Sequence, residues 1–495
     1  MPSRAVVWFR RDLRVADHPA LLAALDAADQ VVPTFVVDRA LLDGRPSGPN
    51  RRAFLLGALQ ALARDLEALG GRLLVREGDP VTVLPALARE VAADTVWCSR
   101  EHTPYARRRD AAVERALRAD GRALHPMPGV YLSDFDEVRK TDGDPFRIYS
   151  PFARAAKAAT WDDPLPAPPR VPVSDDRGGL WTTGAVQLIG RRRSPTGGSG
   201  TGAGGFGVEG AVEVTPPDPE AALERLRWFV ERRIDRYARA RNYMATDGTS
   251  RLSPYLRFGL LSPRQVAAAV GRGPRAAEHP RRAGDRETFV NELLWRDFYG
   301  YVLYHQPESA WAHMRPEFAR FEFEDDPDGL AAWQAGRTGY PLVDAGMRQL
   351  TGQGWVHNRA RMVVASFLTK HLLVDWREGA RFFLQHLMDG DLPANNGGWQ
   401  WVAGTGTDAA PYYRIFNPVT QAEKFDSDGD YIRRWVPELA KLQPPAIFAP
   451  WQASPADLEA GGVRLGTDYP HPIVDHPTAR DRALARYQEA SPRRT

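Results

Sequence analysis

The chain has a single cysteine, Cys98, in 495 residues. A lone thiol excludes internal disulfides, cysteine-based zinc sites and an iron–sulfur cluster held by this chain alone. Lysine is almost as scarce, confined to Lys140, Lys157, Lys370, Lys424 and Lys441. The positive charge is therefore arginine, which can reflect genomic base composition as readily as function. No apolar stretch approaches the roughly 20 residues a membrane helix needs. The apolar run in the N-terminal MPSRAVVWFRRDLR is too short for a secretory signal, so a soluble, cytoplasmic protein without membrane association is expected. Also missing are a GxGxxG after the first strand, a P-loop, a zincin motif, a nucleophile–base triad and any spacing suited to metal ligands. An ordinary dinucleotide site, a metal centre and covalent catalysis are thereby set aside. What remains is hydrogen-bonding groups and charge pairs, which points to chemistry borne by a bound cofactor that the protein orients.

The length and the 43% hydrophobic content suffice for two or three domains with ample core. A net charge of +3 and a pI near 8.9 permit a nucleic-acid partner without requiring one. Short β-rich runs at Ala5–Phe9, Val31–Asp38, Arg72–Glu77, Thr95–Ser99 and Ala123–Met127 alternate with amphipathic helices, clearest at Arg51–Leu69 and Ala106–Arg118. That alternation predicts a Rossmann-like five-stranded parallel sheet over residues 1–130. Ligands in such sheets bind beyond the carboxyl ends of the strands, here Arg10–Arg14, Asp38–Leu42, Gly78–Pro80 and Ser99–Tyr105. Periodicity then fades over residues 131–215, prolines cluster at Pro164–Pro172, and a glycine-rich insert fills Arg191–Gly207. This reads as a linker, with the arginines of the insert in a solvated loop. From about Pro216 to residue 495 the pattern is helical, and ten of the fourteen tryptophans lie here, which alone means only core.

Polar groups set among those aromatics suggest more. In GTSRLSPYL, Thr249, Ser250 and Ser253 surround Arg251 and Leu252; hydroxyls and free N–H groups there can cradle a pyrophosphate or simply cap a helix. In NELLWRDFY, Glu292, Trp295, Arg296 and Tyr299 share one helical face, suited to hold a base and a phosphate or to form an Arg–Glu pair beside core aromatics. In GWVHNRARM, Asn358, Arg361 and Met362 fall on one face and Arg359 on a neighbouring one. A buried Arg361 needs a carboxylate, which Asp389 or Asp391 can supply. Finally DGDLPANNGGWQW and its continuation to Pro418 gather acids, amides, glycines and tryptophans in a stretch built to approach something flat, or else an elaborate loop.

Taken together, VWFRRDLRVADHPAL, TDGTSRLSPYLRFGLLSPRQ, NELLWRDFY, GYPLVDAGMRQL, WVHNRARM, DGDLPANNGGWQW and TDAAPYYRIFNPVTQAEKFD resemble the cryptochrome/photolyase family, and specifically its microbial class I cyclobutane pyrimidine dimer photolyases. The resemblance runs nearly end to end, the linker with its insert excepted. It implies an α/β antenna domain, a long linker and an all-α FAD-binding domain. It assigns Tyr237, Thr249, Ser250, Arg251, Leu252 and Ser253 to the FAD phosphates and ribityl chain, Arg361 with Asp389 and Asp391 to the isoalloxazine surroundings, and Asn395 to flavin N5. Asn at that position favours a photolyase working from reduced anionic FAD. Glu292, Asn358 and Met362 match lesion contacts, with Trp295 and Trp401 as aromatic walls, and Arg241, Arg296, Arg359 and Gln421 match contacts to ultraviolet-damaged DNA bearing a flipped-out pyrimidine dimer. The (6-4) photolyases would show a histidine pair where Asn358 and Met362 stand.

The resemblance also implies a tryptophan chain for flavin photoreduction, with Trp399 proximal and Trp376 in the middle. The outer position is Phe323, far harder to oxidise than tryptophan, and Trp333 is the expected substitute. Asp38, Arg51 and Glu101, with Pro104 and Tyr105, resemble an antenna site for 8-hydroxy-5-deazaflavin; methenyltetrahydrofolate is the alternative. A monomer is expected. The rival readings are a cryptochrome-type blue-light photoreceptor, against which Asn395, the lesion contacts and the short stretch after Tyr487 speak, and a generic flavin electron-transfer protein.

Overall fold

The first strand, β1 (Arg4–Phe9), is an almost uninterrupted apolar run buried on both faces, the signature of an interior parallel strand. With β2 (Gln30–Val37), β3 (Leu74–Glu77), β4 (Thr95–Ser99) and β5 (Ala123–Met127) it forms a parallel sheet in the order β3-β2-β1-β4-β5. The chain leaves β1 for β2 on one side and later returns to β4 on the other, so β1 and β4 flank the topological switch point. Helices α1 (Pro49–Ala68) and α2 (Pro104–Ala119) each start on a proline near their first turn, where its missing N–H costs nothing. Thr103 caps α2 by accepting from the Ala106 N–H. Val6, Val32, Val36, Leu74, Leu84, Val96 and Leu117 form the core on one side of the sheet. Each such side chain contributes about 1.5–3 kcal/mol when fully buried, which makes the strand ends a firm base for polar loops.

The computed structural model describes residues 2–44, 47–159, 161–173, 208–271, 283–408, 411 and 414–490. The insert at Arg191–Gly207 lies outside them. The chain divides into two units: Met1–Asp235 with Ser250–Pro307 and Met388–Asp391, and Arg236–Thr249 with Glu308–Leu387 and Leu392–Thr495. The first unit thus holds the sheet and also α3 (Ser253–Phe258) and α4 (Ala283–His305). Gly259 ends α3 with φ 71°, and a Cβ there would sit 2.1 Å from the Arg11 carbonyl oxygen, so only glycine lets α3 close on the loop after β1.

The segment expected to be an irregular linker is partly folded. Tyr149–Ala158 is a helix that buries Phe152, Ala153 and Ala156, and the Phe152 ring meets those of Phe298 and Tyr301 on α4. Its apolar positions sit at helical spacing over too few turns to stand out among the surrounding prolines.

The second unit is helical among its described residues. Its core gathers Trp333, Tyr340, Val343, Met347, Leu350, Val364, Phe367, Leu368, Phe383 and Trp399. Around it stand α5 (Asn358–Ser366), α6 (Trp376–His386), α7 (Leu392–Ala403) and α8 (Pro418–Phe425), with a π-helical turn at Phe367–His371 following α5.

Candidate functional site

In the first unit, charge is concentrated where β1, β2 and β4 end. Arg10 and Arg109 bracket the Trp8 indole at 4.4 and 4.7 Å from its centroid, a cation–π arrangement on both guanidiniums. Arg10 reaches Asp110 at 2.7 Å, and Arg109 reaches Glu101 at 2.7 Å. Burial alone would raise the Glu101 carboxyl, but Arg10, Arg109 and Arg11 outweigh it and hold the group at about 2. Glu101 is thus favoured as an anion at neutral pH. Asp38, just past β2, caps the next helical turn through the Ala40 N–H and accepts a hydrogen bond from the Tyr105 hydroxyl.

The short segment Met388–Asp391 is held from three directions. Arg11 Nη2 lies 2.9 Å from the Asp391 carboxylate, while Arg257 Nε and Arg51 Nη1 donate to the Gly390 carbonyl at 2.9 and 3.2 Å. Burial pulls the Arg51 guanidinium down to about 10, and burial with the nearby Arg11 charge pulls Arg257 down to about 9. Asp391, expected beside the flavin or as a partner of Arg361, has its charge matched by Arg11, with Arg257 at 3.8 Å. Arg51, expected at the antenna, reaches this same acidic segment. Asp389 is 6% exposed. Arg11 falls within the strand-end segment Arg10–Arg14, but neither it nor Arg257 is singled out by sequence, because nothing in VWFRRDLR or SPYLRFG distinguishes a structural arginine from a surface one.

Around Arg251 the backbone takes a left-handed turn, φ 53°, unfavourable for a residue with a Cβ. The Ser250 carbonyl is taken by Arg225 Nε at 2.8 Å, and the Ser250 hydroxyl accepts from the Leu252 N–H at 3.4 Å. α3 begins at the exposed Ser253 with no side-chain cap. Hydroxyls, a strained arginine and N–H groups at a helix start are the donor set a diphosphate takes, and in that respect these residues fit the phosphates of FAD.

On α4, Glu292 and Arg296 are half-buried. The Trp295 ring lies face to face with Tyr149, centroids 3.7 Å apart and planes at 4°, and Tyr149 Oη donates to the Asn291 carbonyl at 2.8 Å. One face of the proposed aromatic wall is therefore already covered by a residue from the segment expected to be linker. Arg296, expected on DNA, donates to the Val130 carbonyl at 2.8 Å and lies over the Tyr131 ring at 4.7 Å, so its guanidinium braces the first unit.

In the second unit, Tyr237 is buried under the Arg241 guanidinium at 5.6 Å. Thr249 follows Gly248, where a Cβ would meet the Ala240 carbonyl oxygen at 2.7 Å, so the chain runs close to the helical turn Tyr237–Ala240. The His357 side chain caps α5 by accepting from the Arg359 N–H at 3.1 Å. One helical turn apart, Asn358 Nδ2 and Met362 Sδ approach to 3.9 Å, which brings the two expected lesion contacts together. Arg361 Nε donates to the Val356 carbonyl at 2.9 Å. Arg359 lies over the Phe425 ring at 4.3 Å, and its Nη2 donates to Asn242 Oδ1 at 2.5 Å. Gln421 stands one turn before Phe425 on α8. Arg359 Nε and Gln421 Oε1 are buried with no hydrogen-bond partner among the described residues, an arrangement that favours a ligand able to satisfy both.

Along α7, Asn395 Nδ2 donates to the Ala380 carbonyl at 3.1 Å, and Trp401 is half-buried against the helical core. Trp399 is 3% exposed and Trp376 1%. Trp333 is 0% exposed, with its ring 6.0 Å from Trp399 and its N–H donated to the Val364 carbonyl at 2.9 Å. Trp333, the expected substitute for the outer tryptophan, thus lies fully buried beside the proximal member. The Trp376 ring meets His313 at 6.2 Å, and His313 in turn meets Phe323 at 5.9 Å.

Comparison with known proteins bears on the family. Residues 5–170 match the family model described as DNA photolyase, and residues 289–489 that described as FAD binding domain of DNA photolyase. A deoxyribodipyrimidine photo-lyase of Agrobacterium fabrum is 40% identical over 482 residues, covering 97% of each chain. The solved structure of a bacterial class III photolyase from Agrobacterium tumefaciens superimposes with a TM-score of 0.89 at 37% identity, over 99% of this chain and 98% of the other. A Synechocystis cryptochrome does so with a TM-score of 0.86 at 30% identity, over 98% and 99%. On those matches, carried by a five-stranded parallel sheet and a helical FAD-binding region, the chain belongs to the cryptochrome/photolyase family.

Proposed function

We propose that this chain is an enzyme of light-dependent DNA repair, a deoxyribodipyrimidine photo-lyase that splits cyclobutane pyrimidine dimers. The observation that supports it most is on the second unit. Asn358 and Met362 lie together on α5, and Arg359 rests on Phe425 on the helix that carries Gln421, with polar atoms of Arg359 and Gln421 unpartnered. A flavin protein that only moved electrons would have no use for that combination.

Tyr237, Thr249, Ser250, Arg251, Leu252 and Ser253 would hold the phosphates and ribityl chain of FAD, and Arg361, Asp389, Asp391 and Asn395 would border its ring system. When bound, reduced anionic FAD supplies the electron that opens the cyclobutane ring and recovers it afterwards, so no net oxidation occurs. The chain's own residues do the rest. Extruding a dimer from the duplex costs a few kcal/mol of unstacking, as for other enzymes that act on flipped bases, photolyases among them. Arg241 and Arg359, with Gln421, offset that cost on the backbone; Arg296 would join them only by exchanging its carbonyl partners. Trp295, on the face Tyr149 leaves open, and Trp401 wall the extruded bases. Glu292 and Asn358 hold the dimer by hydrogen bonds that strengthen as charge builds on it, a preorganised electrostatic role.

Residues 1–130 act as the antenna domain, residues 131–215 as connection and residues 216–495 as the catalytic domain of a cytoplasmic monomer. The antenna is 8-hydroxy-5-deazaflavin as in class I enzymes, bordered by Asp38, Arg51 and Glu101. Methenyltetrahydrofolate is the alternative, distinguished by near-ultraviolet instead of blue absorbance. The similarity to a cryptochrome sustains a second reading, a blue-light photoreceptor. Incubating the FAD-loaded protein with a thymine-dimer oligonucleotide in blue light and in darkness separates the two. Repair predicts loss of the dimer only in the light. A dimer that persists in the light overturns the enzyme reading.

A further inference from the structure

Resting on the flavin reading above, the question is where an oxidising equivalent leaves the protein when Trp399 and Trp376 pass an electron inward. Phe323 cannot take it at accessible potentials, and Trp333 is sealed from water. Trp311 is 58% exposed, and among the described residues no other tryptophan is an exposed large hydrophobic. An exposed indole is unremarkable by itself. The loop that presents it is not, because it is anchored to both helices of the pathway.

From α7, which bears Trp399, Asn396 Nδ2 donates to the Ala310 carbonyl at 2.7 Å. The fully buried Gln400 donates to the Ser309 and Ala312 carbonyls at 3.2 Å each and accepts from the Met314 N–H at 2.8 Å. From α6, Arg377 Nε donates to the Trp311 carbonyl at 2.7 Å, while its guanidinium lies 5.4 Å from the centroid of the Trp376 ring. His313, two residues on, packs edge-on to that ring. A buried amide that satisfies three backbone groups of one loop fixes that loop in place.

We propose that Trp311 is the outer electron donor of this chain, in place of the residue lost at Phe323. With FAD bound, Trp399 would give one electron to the light-excited oxidised ring, Trp376 would refill Trp399, and Trp311 would refill Trp376. The resulting Trp311 radical cation gives its indole proton to water, and a soluble thiol then gives up a hydrogen atom, restoring the indole N–H and leaving as a thiyl radical. Arg377, paired with Asp375 at 2.6 Å, ties the Trp311 carbonyl to the helix that begins with Trp376.

The test is laser-flash spectroscopy on FAD-loaded Trp311→Phe. The variant should lose the long-lived, thiol-quenchable tryptophanyl radical and most of the steady photoreduction yield. Trp311→Phe/Phe323→Trp should regain both, and dimer repair by chemically pre-reduced enzyme should be unchanged. A wild-type radical lifetime and yield in Trp311→Phe, or loss only in Trp333→Phe, overturns the proposal. Trp399→Phe serves as reference: if it too photoreduces normally, the flavin reading itself has failed.

Discussion

The six-membered ring of Trp399 lies where a Cβ on Gly379 would stand, 2.1 Å from that position at Cη2 and 2.5 Å at Cζ3. α6 and α7 approach closely because residue 379 has no side chain. The indole fills the gap and meets Phe383 edge-on at 5.0 Å and Trp333 at 6.0 Å. This close packing of two helices also sets the orientation of the proximal tryptophan.

Gly379→Ala should accordingly act twice. Overpacking of a close-packed core costs about 1–3 kcal/mol, read as a lower melting temperature. Because the ring must rotate or withdraw, near-ultraviolet circular dichroism and tryptophan fluorescence should change as well. A variant that melts like the wild type with an unaltered near-ultraviolet spectrum would show that the helices part without disturbing Trp399.

Arg359 is held between the Phe425 ring and Asn242 Oδ1, with Nε unpartnered. Burial lowers its pKa, and the neighbouring charges of Arg241 and Arg414 act in the same direction. That crowding of cations is relieved by a phosphate. Arg359→Ala should weaken binding to a dimer-containing duplex and to undamaged duplex alike, and reduce the slope of log affinity against log salt by roughly 1. Asn242→Ala should weaken binding less and leave the slope intact, since it frees the guanidinium without removing its charge. Titrations at several salt concentrations decide, and an unchanged slope in Arg359→Ala would remove this residue from the DNA interface.

Asp297 is 0% exposed, and burial pushes its carboxyl up to about 7, although the nearby Arg296 guanidinium and the Ser133 N–H, donated at 2.8 Å, pull the other way. Its ordinary value in an unfolded chain is about 3.9. Between those values the folded state binds the proton and the unfolded state does not, so stability falls as pH rises from about 4 to about 7, at up to about 1.4 kcal/mol per pH unit. Above that window the full cost of a buried anion remains. Asp297→Asn should remove this component: the variant should gain on the wild type in melting temperature as pH is raised from 5 to 7.5. A constant difference between the two across that range would mean that Asp297 stays ionised throughout.

The sequence by itself determined the periodic elements and the chemistry available to them. Thr95–Ser99 and Ala123–Met127 were legible to the residue, because apolar runs bounded by turn formers depend on local composition alone. Helix starts were misjudged by about a turn at most, where a proline extended α1 and α2 toward their N-termini. Asn358 beside Met362 was equally legible, since helical spacing dictates it.

What only the tertiary structure decided are the pairings between distant residues. That Asp391 meets Arg11, that Tyr149 covers Trp295, that Asn242 grips Arg359 and that Gly379 makes room for Trp399 follow from which helix faces meet, and no local pattern encodes a partner far along the chain. The same holds for Trp333 and Trp311. In sequence they are two tryptophans of one aromatic-rich half. Packing closes one inside the core beside Trp399, while Gln400 and Arg377 fix the backbone of the loop that leaves the other at the surface.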